Sequence, residues 1–257
     1  DYLDKKCSEI DACLSDVNES IDKLQEYKKS IITEAVTKGL DTNAEMKDSG
    51  IEWIGEIPKG WEVAKAKYNY KIYNGSTPSS SVSEYWDDGE IVWITPADYG
   101  EETSYILSSN KKITKEGLNS CGTNLVKKES IIVSNRAPIG QIALAGVELC
   151  TNQGCKSLEN YGNSVSKYHW YFFKTQKENL NSLGKGTTFL ELSKNDLSSY
   201  ILPIPSKVEQ QQIADYLDNK CAEIDNVIEG KKELANKLKE YKHSLIYECV
   251  TGKREVG

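Results

Sequence analysis

The sequence predicts an α+β protein: a globular segment with a mostly antiparallel, twisted sheet, flanked by two long helices that pair antiparallel as a coiled coil. Three observations predict it. A stretch near one end of the 257 residues is repeated near the other; both copies have helical composition and an apolar seam; and between them glycine, serine and aromatic residues rise, with short apolar runs bounded by turn residues.

The repeat comes first. DYLDKKCSEID at 1–11 returns as DYLDNKCAEID at 215–225, an offset of 214 residues, and without a gap KLQEYKKSIITEAVT (23–37) then aligns with KLKEYKHSLIYECVT (237–251). Of the 37 aligned positions 20 are identical. Neither copy has proline and only Gly230 interrupts them, while Lys, Glu, Leu and Ile abound, a composition that favours helix. Spacings of four and three run through Leu3, Cys7, Ile10, Leu14, Val17, Ile21, Leu24, Lys28, Ile31 and Ala35. The matching positions are Leu217, Cys221, Ile224, Ile228, Lys231, Ala235, Leu238, Lys242, Leu245 and Cys249. At about 1.5 Å per residue each helix is a rod on the order of 50 Å long that needs a partner, and lysines within the seam help fix its register. Three segments follow: 1–40, 41–208 and 209–257.

In the middle segment EIVWI (90–94), SIIVS (130–134) and QIALAGV (141–147) read as strands, and 165–183 as a helix for want of glycine and proline. Catalytic signatures are scarce. His169 and His243 stand apart, with no nucleophile or metal-ligand spacing nearby, and read as structural or surface residues. No Walker loop and no G-x-G-x-x-G after a strand occurs. The acidic run Glu84, Asp87, Asp88 and Glu90 encloses Tyr85 and Trp86, which favours a solvated loop with an aromatic anchor over a cation site. No catalytic residue and no metal ligand is expected.

The loops NGSTPSSS (74–81), SNRAPIG (134–140), TNQG (151–154) and GKGTTF (184–189) instead offer the donors and acceptors that read base edges, and glycine-rich backbone that holds phosphate. Arg136 is the sole arginine of 41–208, which makes it the leading candidate for a bidentate contact to guanine or phosphate, against a structural ion pair as the alternative.

Charge and cysteines bound the function further. The formal charge is -7, with -3, -2 and -2 on the three segments, so no basic arm supports non-specific phosphate binding. Seven cysteines without a C-x-x-C pair fit neither a disulfide framework nor a zinc ribbon, and free thiols in a reducing cytoplasm are expected. No apolar run approaches the length of a membrane span, and the first thirty residues are charged throughout, without an apolar signal core. A chain that begins at Asp1 with Met46 as its one methionine reads as a fragment.

In order, GIEWIGEIPKGWEV (50–63), NGSTPSS (74–80), the YW pair at 85–86, IVWITPADY (91–99), IIVSNRAPIGQIAL (131–144), TNQGCKSL (151–158), GTTFLELS (186–193) and LPIPSKVEQQQIADYLD (202–218) resemble the specificity subunit of type I restriction-modification systems. The resemblance covers nearly the whole chain, and the repeated rods resemble that family's spacer helices. It implies a target recognition domain at 41–208 between spacer helices, the C-terminal half of a subunit that reads one half of a split double-stranded DNA target. It implies two methyltransferase subunits bringing S-adenosylmethionine, a motor-nuclease subunit using ATP and magnesium, and no cofactor on this chain. It leaves self-association through the helices open, and the helices would set the number of unread bases between half-sites.

Motifs shared by relatives that read different sequences cannot encode the difference. GTTF, TNQG and the Pro58, Gly60, Trp61 motif are therefore scaffold or phosphate contacts, and base readers fall between them. Ser79, Ser80, Ser81, Tyr99, the loop to Ser104, Lys111 and Lys112 are the candidates; Arg136 and Lys185 suit phosphate. A rival from another class is a coiled-coil interaction protein whose middle domain binds a ligand other than DNA.

Overall fold

A computed structural model of the chain describes residues 2–100, 102–162, 164–185 and 190–254. The first element is α1 (Tyr2–Lys38), followed by the short strands β1 (Met46–Asp48), β2 (Glu56–Pro58), β3 (Glu62–Lys65) and β4 (Tyr70–Asn74). Next come β5 (Ile91–Ile94), β6 (Tyr105–Ile106), β7 (Lys111–Ile113) and α2 (Lys115–Asn119). The central strands are β8 (Ile131–Ser134), β9 (Ile142–Ala145), β10 (Leu149–Thr151) and β11 (Cys155–Asn160). The chain continues through α3 (Ser166–Thr175), α4 (Lys177–Ser182), α5 (Lys194–Ser199), β12 (Ile201–Ile204) and α6 (Lys207–Val250).

Contacts divide it into two compact units, Asp1–Ile31 with Tyr216–Gly257, and Ile32–Asp215. Helix α1, ending at Lys38, lies within the expected segment 1–40, and α6 begins slightly before the expected 209, at Lys207.

In the helical unit α1 and α6 run antiparallel. Ile21, Ile224 and Ile228 are buried together, with Val17, Leu24 and Ile31 packed against them. Ile10 and Leu245 are also buried, whereas Leu3, Leu14 and Leu238 are half-covered. The seam lysines do what their positions suggested: Lys28 Nζ lies 2.6 Å from Asp225 and Lys242 Nζ 2.6 Å from Asp11. Exchanging the helices through the repeat offset of 214, Lys28 for Lys242 and Asp225 for Asp11, turns one pair into the other, so the unit has an internal two-fold relation. The same operation converts Lys6–Glu9 into Lys220–Glu223, both at 2.7 Å. Half-exposed ion pairs contribute at most about 1 kcal/mol each. Their main effect is on register, because a slip along the seam breaks both cross-helix pairs at once.

The globular unit is antiparallel-rich but carries several sheets where one was expected. Its largest has five strands in the order β4-β11-β8-β9-β6, antiparallel except for β6 with β9. A second has the order β10-β5-β7, with β10 parallel to β5. The pairs β1-β2 and β3-β12 complete the strands. Val92, Ile94, Tyr99, Val126, Ile132, Ala143, Ala145, Leu149 and Cys155 form the core shared by the two larger sheets. Every residue of β8 and β9 is buried. Helix α3 packs against β9, and Trp170 Nε1 donates to the Ile142 carbonyl at 3.3 Å. Six consecutive residues of α3, Tyr168 to Phe173, are buried, the mark of a helix enclosed on all sides.

The single helix expected at 165–183 is broken at Gln176, whose buried side chain accepts from Tyr200 Oη at 2.9 Å. The ends of the long helices lying in this unit are fixed individually. Tyr168 Oη donates to the Val36 carbonyl at 2.9 Å, Trp61 Nε1 donates to Glu209 at 2.9 Å, and Gln210 accepts from the Val165 amide at 2.7 Å. Helix α1 stops at Gly39, whose φ of 77° suits a residue without Cβ.

His169 is fully buried and structural, while His243 is exposed. The Pro203 carbonyl can only accept, so His169 Nε2 carries the proton at 3.2 Å from it, and Nδ1 accepts from Tyr70 Oη at 2.8 Å. Burial pushes the His169 pKa down from 6.5 to about 4. The folded chain thus resists a proton that the unfolded chain takes up, and this contribution, complete above pH 6.5, is lost as the pH falls from 6.5 to about 4. Acid titration of the unfolding free energy should show a loss of about 3 kcal/mol over that window that His169→Gln removes.

A second expectation concerns the seam. Reversing Lys28→Asp alone should lower the thermal midpoint, and adding Asp225→Lys should restore it. Failure of the double variant to recover would show that the ion pair does not hold the register.

Candidate nucleic-acid interface

Residues 75–81 leave β4 and cross the mouth of the β10-β5-β7 sheet. Gly75 permits this: a Cβ there would fall 1.8 Å from the Asn152 carbonyl oxygen, so the loop lies backbone to backbone on the TNQG turn. The Ser76 amide donates to the Thr151 carbonyl at 2.9 Å, and Thr77 Oγ1 bonds Gln153 Oε1. Opposite, Gly117 of α2 sits under Tyr85, where a Cβ would lie 2.5 Å from the Tyr85 carbonyl oxygen. Thr114 Oγ1 donates to the Glu84 carbonyl at 2.9 Å, fixing the 83–86 turn to the same helix.

These two walls enclose a cleft of about 530 Å³ lined by Thr77, Ser80, Ser83, Trp86, Asp87, Trp93, Asn110, Lys111 and Lys112. Trp93, on β5, is buried and half-buried Trp86 meets it edge to face, with centroids 5.2 Å apart at 88°. Both indole N–H groups are used internally, Trp86 donating to the Ser79 carbonyl and Trp93 to the Ser76 carbonyl, each at 3.0 Å. Lys111 Nζ lies 5.7 Å from the Trp86 ring centroid. Among the described residues neither Asp87, Lys112 nor the Asn110 side chain has a hydrogen-bond or ion-pair partner.

The structure brings Ser80, Lys111 and Lys112 together in this cleft. Ser79 and Ser81 are exposed on its loop, their hydroxyls 2.9 Å apart. Ser104 lies elsewhere, exposed beside β9, where its carbonyl accepts from the Leu144 amide at 2.8 Å. Tyr99 is corrected. It is 5% exposed in the core between the sheets, its hydroxyl 3.6 Å from Cys155 Sγ, and burial holds its pKa well above the usual phenol value. A phenol enclosed in this way belongs to the core and is no base reader. The sequence reading did not name Trp93, Asn110 or Ser83 and gave Thr77 only as part of the 74–81 loop, while Asp87 is exposed, as its reading within a solvated loop has it. The signal available was Trp86 inside a polar loop, with Asn110 adjacent to the two lysines.

A second cluster lies at Arg136. Its Nε and Nη2 both lie 3.3 Å from Glu191 Oε2, while Glu191 Oε1 accepts from Asn135 Nδ2 at 2.9 Å and lies 3.9 Å from Lys156 Nζ. Lys156 is 5% exposed at its side chain and also reaches Asn74 Oδ1 at 3.1 Å. Burial lowers the pKa of its ammonium, and Glu191 opposes that shift. Lys185, exposed, pairs with Asp196 at 3.0 Å, and its backbone bridges to Glu191. The Glu191 carboxylate, overlooked in the sequence, thus links Asn135 and Arg136 of the 134–140 loop to Lys156 on β11, and its backbone bridges to Lys185. The GTTF motif at 186–189 lies outside the described residues.

A family model described as the type I restriction modification DNA specificity domain matches residues 58–240. The MjaIX specificity subunit of Methanocaldococcus jannaschii, a type I restriction enzyme subunit, is 40% identical over 183 residues, 70% of this chain and 41% of its own. The EcoR124I/EcoR124II specificity subunit of Escherichia coli is 29% identical over 212 residues, 78% of this chain and 49% of its own. The crystal structure of the HsdS subunit from Thermoanaerobacter tengcongensis superimposes with a TM-score of 0.64 at 18% identity, covering 96% of this chain and 56% of that one. At that identity it establishes the fold. The chain belongs to the type I restriction modification DNA specificity domain family. It spans about half the length of the curated relatives it matches.

Removing the Glu191 charge leaves Lys156 buried without its neighbour. Because Glu191 is 41% exposed, the loss is that of a partly screened pair. Denaturant unfolding of Glu191→Gln should show about 1 kcal/mol of destabilisation, with Lys156→Met recovering most of it. No recovery in the double variant would show that Glu191 acts through Arg136 or Asn135 and not through the buried ammonium.

Proposed function

We propose that this chain is the sequence-reading part of a type I restriction-modification specificity subunit. Its globular unit reads one half of a split double-stranded DNA target, and its helices scaffold methyltransferase subunits and a motor-nuclease subunit. S-adenosylmethionine, ATP and magnesium belong to those partners, and this chain discriminates bases without catalysing a reaction. The observation that carries the reading is the cleft at Trp86 in a chain of this family, where Lys112, Asp87 and the Asn110 amide stand without internal partners among the described residues and Lys111 lies over the Trp86 ring. Unlike Arg136 and Lys185, whose charges are answered by Glu191 and Asp196, these groups retain their capacity for an outside ligand. A net charge of -7 accords with a domain that discriminates while its partners supply much of the attraction to phosphate.

The chain, mixed with its cognate methyltransferase subunit, is to be incubated with a randomised duplex pool at two salt concentrations and the bound fraction sequenced. Enrichment of a short motif is expected. A stable protein complex without enrichment would overturn the reading. Lys112→Ala should reduce affinity for the enriched sequence by roughly 1–3 kcal/mol and relax the preference at one position, as loss of a base contact does. Arg136→Ala, which removes a charge already answered by Glu191, should lower the thermal midpoint and leave the enriched sequence unchanged.

A further inference from the structure

The cleft at Trp86 is concave, and this bears on what it accepts. Intact B-DNA is read by elements that protrude into its grooves, a helix or a β-ribbon laid against base edges. A recess walled by fixed aromatic rings matches a different form of the same ligand, a base taken out of its stack, held by ring stacking and read along its freed edge. Each feature of the recess suits that form. Both indole N–H groups are bonded to backbone carbonyls, so neither ring is a free donor; Trp93 is buried behind, and half-buried Trp86 is the ring with open surface for a stacked base. Lys111 Nζ lies over the Trp86 ring, 5.7 Å from its centroid, and an entering base shares that ring with this cation on a side chain long enough to move aside. Asp87 is an acceptor, Lys112 a donor and Asn110 both, all without internal partners among the described residues.

The walls are held by close backbone contacts. A Cβ at Gly75, Gly89 or Gly117 would lie 1.8, 2.7 or 2.5 Å from neighbouring backbone atoms, so three sides of the recess rest on positions that admit no side chain. A recess built in this way exists before the ligand arrives and loses little freedom on binding.

Resting on the DNA-reading function proposed above, we infer that the recess of Thr77, Trp86, Asp87, Trp93, Asn110 and Lys112 receives a single extrahelical nucleobase of the bound duplex. Asp87 accepts from the exocyclic amino group of that base and Lys112 donates to a ring nitrogen or carbonyl oxygen. Adenine, cytosine and guanine offer an amino group to the carboxylate. Thymine has none and is disfavoured.

The test uses the full chain and the duplex enriched in the selection above, fully paired or carrying one unpaired nucleotide, of each base in turn, moved through the half-site. The four nucleoside monophosphates are titrated in parallel. At one position an unpaired A, C or G should tighten binding about tenfold over the paired duplex, the size of one base stacked on an aromatic ring, and quench tryptophan emission. Trp86→Ala should abolish this gain and Trp86→Phe keep much of it, with thermal melts confirming that both fold. Asp87→Asn should bring thymine up to the other bases without altering affinity for the paired duplex. Equal binding of paired and unpaired duplexes, or a Trp86→Ala loss shared equally by both, would overturn the inference. Monophosphates binding as tightly as the unpaired duplex would overturn it too, by assigning the recess to a free nucleotide. Absence of any enriched sequence would be a failure of the DNA-reading function itself and is seen before these duplexes are made.

Discussion

Strands β8 and β9 are buried along their whole length, and that constraint organises the globular unit. A strand with no solvent face can contain only residues that pack, so IIVS and IALA read as unbroken small and branched side chains and leave all polar work to the connections. One face meets the core shared with β5 and β10, and α3 packs against β9. The loops leaving these strands are consequently rooted in the most rigid part of the unit. Asn135 and Arg136 follow β8 directly, and the TNQG turn follows β10, where it supports the 75–81 loop.

Electrostatics sorts the polar residues into two groups. Glu191 gathers Asn135, Arg136 and Lys156 around one carboxylate, a closed arrangement whose charges are spent on holding loops together. The groups around Trp86 are left open. In a chain with excess acid, Lys111 and Lys112 beside Trp86 give a local attraction, which favours discrimination over general adhesion to phosphate.

The repeat, the antiparallel helices, the strand runs at 91–94, 131–134 and 142–145 and the family resemblance were legible in the sequence because each depends on local periodicity or on ordered motifs. The break at Gln176 was not, since it depends on a hydrogen bond from Tyr200 that closes only in the fold. Nor was the division into several sheets, which is set by pairings between distant segments such as β3 with β12. For the site, Ser80, Lys111 and Lys112 were named because they fall between the shared motifs, and they line one cleft, but Trp93 looked like any strand aromatic until β5 was placed at the floor of the cleft. Tyr99 misled for the opposite reason: a tyrosine at the end of a strand run can turn inward or outward, and only the neighbouring sheet decides.

The reciprocal ion pairs of the long helices carry a consequence beyond register. Asp11 and Lys28 lie on α1 at the same separation as Asp225 and Lys242 on α6. Each helix therefore holds both halves of the code that its partner answers, much as a palindrome contains its own complement. The chemistry of pairing is blind to which helix comes first along the chain. Such self-complementarity makes the two rods interchangeable in principle, so that circular permutation of the polypeptide would conserve every cross-helix contact while reversing the order in which the contacts are made.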